Sequence, residues 1–87
     1  MTINELWSNI INNYIGYEFH TRTHLPFTLV YKDSNSVYVN RNGKYVRFIT
    51  KSNMEYILKY PNEYFKTYSD EMQCASYALA VYDTIVK

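Results

Sequence analysis

The dipeptide Asn42-Gly43 constrains this chain more than any other feature of it. Asn-Gly fills the two positive-φ positions of a type I′ turn, whose twist matches that of two antiparallel strands. Runs of strand character lie on both sides, Val37–Arg41 before it and Lys44–Thr50 after it. Strict alternation in the second run predicts Tyr45, Arg47 and Ile49 on one face, with Val46, Phe48 and Thr50 on the other. Upstream, Asp33-Ser-Asn-Ser36 has the composition of another turn. Phe27–Lys32 before it is aromatic, β-branched and alternating. Pro26 sits at a strand entrance, where its missing N–H does least harm. Tyr17, Phe19 and Thr21 alternate with Glu18, His20 and Arg22 in a shorter run. The stretch Tyr17–Lys51 therefore reads as a three- to four-stranded antiparallel sheet.

Helical signals flank it. Thr2 and Glu5 fit a capping box, and Ile3, Leu6, Trp7, Ile10, Ile11 and Tyr14 recur at helical spacing. Gly16 follows as a stop, so a helix is expected over Ile3–Ile15. Ser52 and Glu55 suggest a second box opening a short helix, Asn53–Lys59, which Pro61 interrupts. Asn62–Lys66 has room for a further turn. Ser69 and Asp70 are expected to cap the last helix, with Met72, Ala75, Leu79, Tyr82 and Val86 as its apolar stripe. The order is α-β-β-β(-β)-α-α. It describes one two-layer α+β domain over 1–87: an N-terminal helix, the sheet, then two C-terminal helical segments. A winged helix is the runner-up, disfavoured because the sheet residues outnumber those of a wing. A chain of this length buries roughly 60–65% of its unfolded surface, enough for one core.

Few kinds of chemistry fit. Cys74 is the single cysteine, so there is no internal disulfide and no cysteine zinc site; a reducing cytosol is the expected setting. No apolar run approaches the roughly 20 residues of a membrane span, and the first residues lack the pattern of a secretion signal. His20 and His24 lie in an extended segment, where their spacing separates them by roughly 13 Å, too far for one metal ion. Cys74 falls among stripe positions of a helix and reads as packed. The two glycines belong to no phosphate-binding loop, and paired carboxylates are hard to find. The expectation is a non-enzyme without cofactor or metal.

Charge and tyrosine supply the positive argument. The net charge of +1 is distributed as −2 over residues 1–19, +5 over 20–51 and −2 over 52–87. The sheet is basic and the helices are mildly acidic, which suits an acidic partner at the sheet. Eleven tyrosines exceed what so small a core can bury, so several reach the surface, where Tyr is a favoured interface residue. Nine asparagines accompany them, a bias that AT-rich codon usage also produces. Arg41, Lys44, Arg47 and Lys51 cluster around one hairpin and are interleaved with Tyr38, Tyr45 and Phe48. The predicted contact set is Arg41, Lys44, Tyr45, Arg47 and Lys51, with Tyr38 in support.

Gly16-x-x-Phe19-x-Thr21, then Pro26-Phe27-Thr28, then Ser52 opening a helix resembles the pattern of a small bacterial and phage family. The resemblance spans about Ile10–Lys59 and departs at Leu29, where that pattern has Tyr. It implies no catalytic residues. It implies a phage or mobile-element accessory protein that docks on a host or defence protein, including nucleic-acid-processing enzymes, and modulates or inhibits it. Direct DNA or RNA binding by the basic hairpin is the alternative, and a self-assembling module is a third.

Overall fold

The computed structural model describes residues 1–87 and has the α+β architecture expected. Helix α1 spans Ile3–Asn13. Its capping box is formed: the Thr2 hydroxyl accepts from the Glu5 N–H at 3.2 Å, and the Glu5 carboxylate accepts from the Thr2 N–H at 2.9 Å. The helix stops at the Tyr14 cap, earlier than the predicted Ile15. Ile15 instead forms a parallel bridge with Leu29, and the Gly16 N–H donates to the Leu29 carbonyl at 2.9 Å. Gly16, at φ +83°, makes the turn that a side chain would strain.

Four strands follow, β1 (Glu18–His20), β2 (Pro26–Asp33), β3 (Ser36–Arg41) and β4 (Lys44–Thr50). They form an antiparallel meander in chain order, with β1 and β4 at its edges. Asn42 and Gly43 both have positive φ, +55° and +79°, as the turn demands. Phe19, Phe27, Leu29, Val37, Val39 and Ile49 line the face beneath the helices and are buried. Against them pack Leu6, Trp7 and Ile10 of α1 and apolar residues of the C-terminal helices. Each such side chain contributes about 1.5–3 kcal/mol relative to exposure. The Trp7 indole N–H donates to the Ser34 carbonyl at 2.8 Å, tying α1 to the β2–β3 turn.

Three helices complete the chain where two segments were expected: α2 (Lys51–Lys59), α3 (Phe65–Glu71) and α4 (Ala75–Ile85). The cap of α2 is not the predicted Ser52–Glu55 pair. Thr50, extended at the end of β4, accepts from the Asn53 N–H at 3.1 Å, and the Asn53 side chain accepts from the Thr50 N–H at 2.9 Å. The strand thus runs directly into the helix. Ser69 and Asp70 do not cap the last helix either. They lie inside α3, and Met72 breaks the path with an extended backbone before α4 begins. Pro61 ends α2 as expected. The Tyr68 hydroxyl bonds the Tyr60 carbonyl there and accepts from the Glu63 N–H at 3.1 Å. No helix is long and apolar enough to cross a membrane.

Candidate interaction surface

All helices pack on one side of the sheet, and the other side is open. Its residues follow from the cross-strand register. One row crosses all four strands as Glu18, Thr28, Asn40 and Tyr45; the next is Val30, Tyr38 and Phe48. Direct partners share a face, so both rows look outward. Tyr45 is 61% exposed and Phe48 54%. The Tyr38 and Tyr45 rings stack across the diagonal at 4.7 Å and 6°. The Lys32 ammonium lies 5.9 Å from the Tyr38 ring centroid and 5.6 Å from that of Phe48. Asp33 pairs with the same ammonium at 3.3 Å. Asp33's carboxyl is held below its ordinary range, chiefly by the Asn35 N–H.

A β-bulge creates this arrangement. Val39 pairs with Arg47 but Asn40 pairs with Tyr45, so Val46 is an extra residue in β4. Strict alternation put Tyr45 with Arg47 and Phe48 with Val46. The bulge resets the count, bringing Tyr45 to the face of Phe48 and leaving Arg47 with Ile49. Val46 is half-buried against the core.

The predicted contact set is consequently divided. Tyr38 and Tyr45 come together on the open face. Arg41 belongs to the opposite parity and donates to the Tyr77 hydroxyl of α4 at 3.1 Å. Lys44 is its cross-strand partner and shares that parity. Arg47 donates to the Val46 carbonyl at 2.8 Å, beside a groove at the outer edge of β4 that Met72, Gln73 and Cys74 help to line. Lys51 lies at the start of α2 and donates to the Asn4 side chain at 2.7 Å. Phe48 and Lys32 are the members that the sequence argument left out. Phe48 was visible in it, as an aromatic of the hairpin, but alternation set Tyr45 on the face opposite to it.

The edge of β4 is guarded. The Lys51 N–H bonds the Asn35 carbonyl. By antiparallel alternation Ile49 and Arg47 then turn their backbone groups toward β3, and Phe48 turns its own outward. The outward Thr50 N–H is taken by Asn53, and the Val46 carbonyl by Arg47.

The remaining reactive side chains do not converge. His20 sits 3.5 Å from Glu18 on the short edge strand, and His24 turns a loop at φ +68°. No group of three His, Cys, Asp or Glu side chains has the geometry to hold a metal ion. Cys74 is buried and its thiol donates to the Asn53 side-chain oxygen at 3.3 Å. Burial pushes that thiol up to about 11. No family model, no curated protein and no solved structure matches this chain.

Proposed function

We propose that this protein is a non-catalytic binding module that docks on another protein through the open face of its sheet. The observation that carries the reading is the uncovered aromatic cluster: Tyr45 and Phe48 are more than half exposed beside Tyr38, on a rigid strand pair. Soluble domains seldom leave clustered apolar surface uncovered without a use for it, and tyrosine anchors interface hot spots. Rings already stacked on one another lose little freedom on binding, which favours affinity. The resemblance to phage and bacterial sequences suggests a host or defence protein as the target, with modulation or inhibition as the effect.

The coplanar Tyr pair also favours a second reading, single-stranded nucleic acid stacked on the rings. It ranks lower because Arg41, Lys44 and Arg47, which would follow a phosphate backbone, share the other parity of the sheet. Affinity capture from host lysate, with and without nuclease, tests the two readings. A specific partner should be retained after nuclease, and lost when Tyr45→Ala and Phe48→Ala are combined. Capture that survives the double variant refutes the open face as the contact. Capture abolished by nuclease, with steep loss in rising salt, favours nucleic acid.

A further inference from the structure

The open face is not uniformly apolar. Glu18, Thr28 and Asn40 stand side by side in one cross-strand row. A shallow cavity of about 300 Å³ opens beside them, bounded by Pro26 and the Asn42-Gly43 turn. Glu18, Thr28, Asn40 and Asn42 supply the polar part of its lining. The Glu18 carboxylate is 65% exposed, and its one ionic contact is His20 at 3.5 Å. The basic residues of the neighbouring turn do not neutralise it. Arg41 is committed to Tyr77, and Lys44 shares the helix-side parity of Arg41. The sheet segment as a whole is basic, yet this corner of its open face presents an acceptor-rich hollow with an exposed carboxylate that has only His20 beside it.

We infer that the protein partner anchors here through an arginine. This inference rests on the open face being the docking surface. A guanidinium presents parallel N–H donors that match a carboxylate in bidentate fashion, and its other donors suit the amide oxygens of Asn40 and Asn42. Lysine offers only a point charge. The expected acidic partner is thereby replaced at this corner by a cationic one. The spacing is also set. Three interstrand gaps separate β1 from β4, about 14 Å at roughly 4.8 Å each. An extended segment rising about 3.3 Å per residue covers that in about four residues. The partner segment therefore carries an arginine at one position and an apolar or aromatic residue four positions away. The arginine enters the hollow, and the second residue meets the Tyr45 and Phe48 rings.

The probe is a capped pentapeptide with Arg first, Phe last and Gly-Ser-Gly between, titrated into the isotope-labelled full chain and followed by amide NMR shifts. The expected result is movement at Glu18, Thr28, Asn40 and Asn42 together with Tyr45 and Phe48. The Lys-for-Arg peptide should bind at least about threefold more weakly, and Glu18→Gln should weaken the Arg peptide about tenfold. Glu18→Gln is isosteric on an exposed strand, and an unchanged melting temperature verifies its fold. Equal binding of the Lys peptide, or no movement in the Glu18 row, overturns the inference. So does stronger displacement of the same peaks by a guanine-containing single strand. Lysate capture separates this from the docking reading. Loss of capture with Tyr45→Ala plus Phe48→Ala, but not with Glu18→Gln, leaves the open face standing and removes the arginine anchor.

Discussion

Replacing Tyr68 by Phe tests how the break at Pro61 is held. The Tyr68 ring is buried, and its hydroxyl serves two backbone groups of the α2–α3 connection: it bonds the Tyr60 carbonyl and accepts from the Glu63 N–H. Pro61 has no N–H of its own, so the loop has few other internal bonds to draw on. Tyr68→Phe keeps the ring and its packing and removes both bonds. A hydrogen bond contributes about 1 kcal/mol net, and an orphaned buried group costs roughly 1–3 kcal/mol. Both backbone groups are partly buried, so we expect a loss of about 2 kcal/mol. A domain of this size changes its melting temperature by about 5 °C per kcal/mol, which places the variant about 10 °C lower. The assay is a reversible thermal melt followed by circular dichroism, with limited proteolysis of 60–65 alongside. The melt should fall, and cleavage should rise selectively in that loop. A fall below about 3 °C with unchanged cleavage refutes the reasoning. Water would then be replacing the hydroxyl, and ring packing alone would be holding the turn.

Gly43→Ala should cost about 1 kcal/mol in chemical denaturation, because φ is +79° while a Cβ there meets nothing within 4 Å. A larger loss would mean that the hairpin register had slipped. His24→Gly should stabilise by a few tenths to about 1 kcal/mol, since His24 holds φ +68° in an exposed loop; a loss would reveal an unrecognised His24 contact. Cys74 should resist a thiol reagent at pH 8, where a thiol pushed up to about 11 is almost wholly protonated; full reactivity should appear only on unfolding, and rapid labelling of the native protein contradicts the burial. Thr2→Ala should cost about 1 kcal/mol at neutral pH. Thr2 N–H and hydroxyl bonds hold the Glu5 carboxyl below its ordinary 4.5. That stabilisation is present above 4.5 and disappears as pH falls through the lowered value. Parent and variant should both lose stability in acid, because the Thr2 backbone N–H that chiefly lowers Glu5 survives the substitution, while the cost of the lost hydroxyl cap persists.

Local chemistry made much of the fold readable. Asn42-Gly43 placed the hairpin, and β4 begins and ends where the alternating run does, at Lys44 and Thr50. Thr2 and Glu5 placed the start of α1. The misreadings have physical causes. Tyr45-Val-Arg-Phe-Ile49 alternates plausibly in either phase, so nothing local reveals that Val46 is an extra residue. Only pairing with Val39 and Asn40 decides it. Thr50 displaced Ser52 as the helix cap because the end of the strand already supplies the extended backbone that a cap requires. The stripe from Met72 onward ignored that Met72 itself is extended and buried between two helices. As for the surface, Tyr38 and Tyr45 were visible as surplus tyrosine. The Glu18 hollow was not, because strand register and not sequence proximity sets Glu18 beside Asn40.

The guarded edge of β4 bears on how the protein behaves when concentrated. A four-stranded meander with an aromatic open face combines the two ingredients of fibril growth, a strand edge and an adhesive side-chain surface. Here Arg47 and Asn53 occupy the outward groups on either side of Phe48, and the Val46 bulge bends the strand out of plane. An incoming strand finds the outward groups of Phe48 and of Tyr45 separated by the bulge, an interrupted register that is poor at nucleating stacking. The rings thus stay bare for a partner while the interrupted backbone beside them disfavours another copy of itself, and Arg47→Ala should lengthen the vulnerable edge and shorten the lag before thioflavin-positive aggregates form.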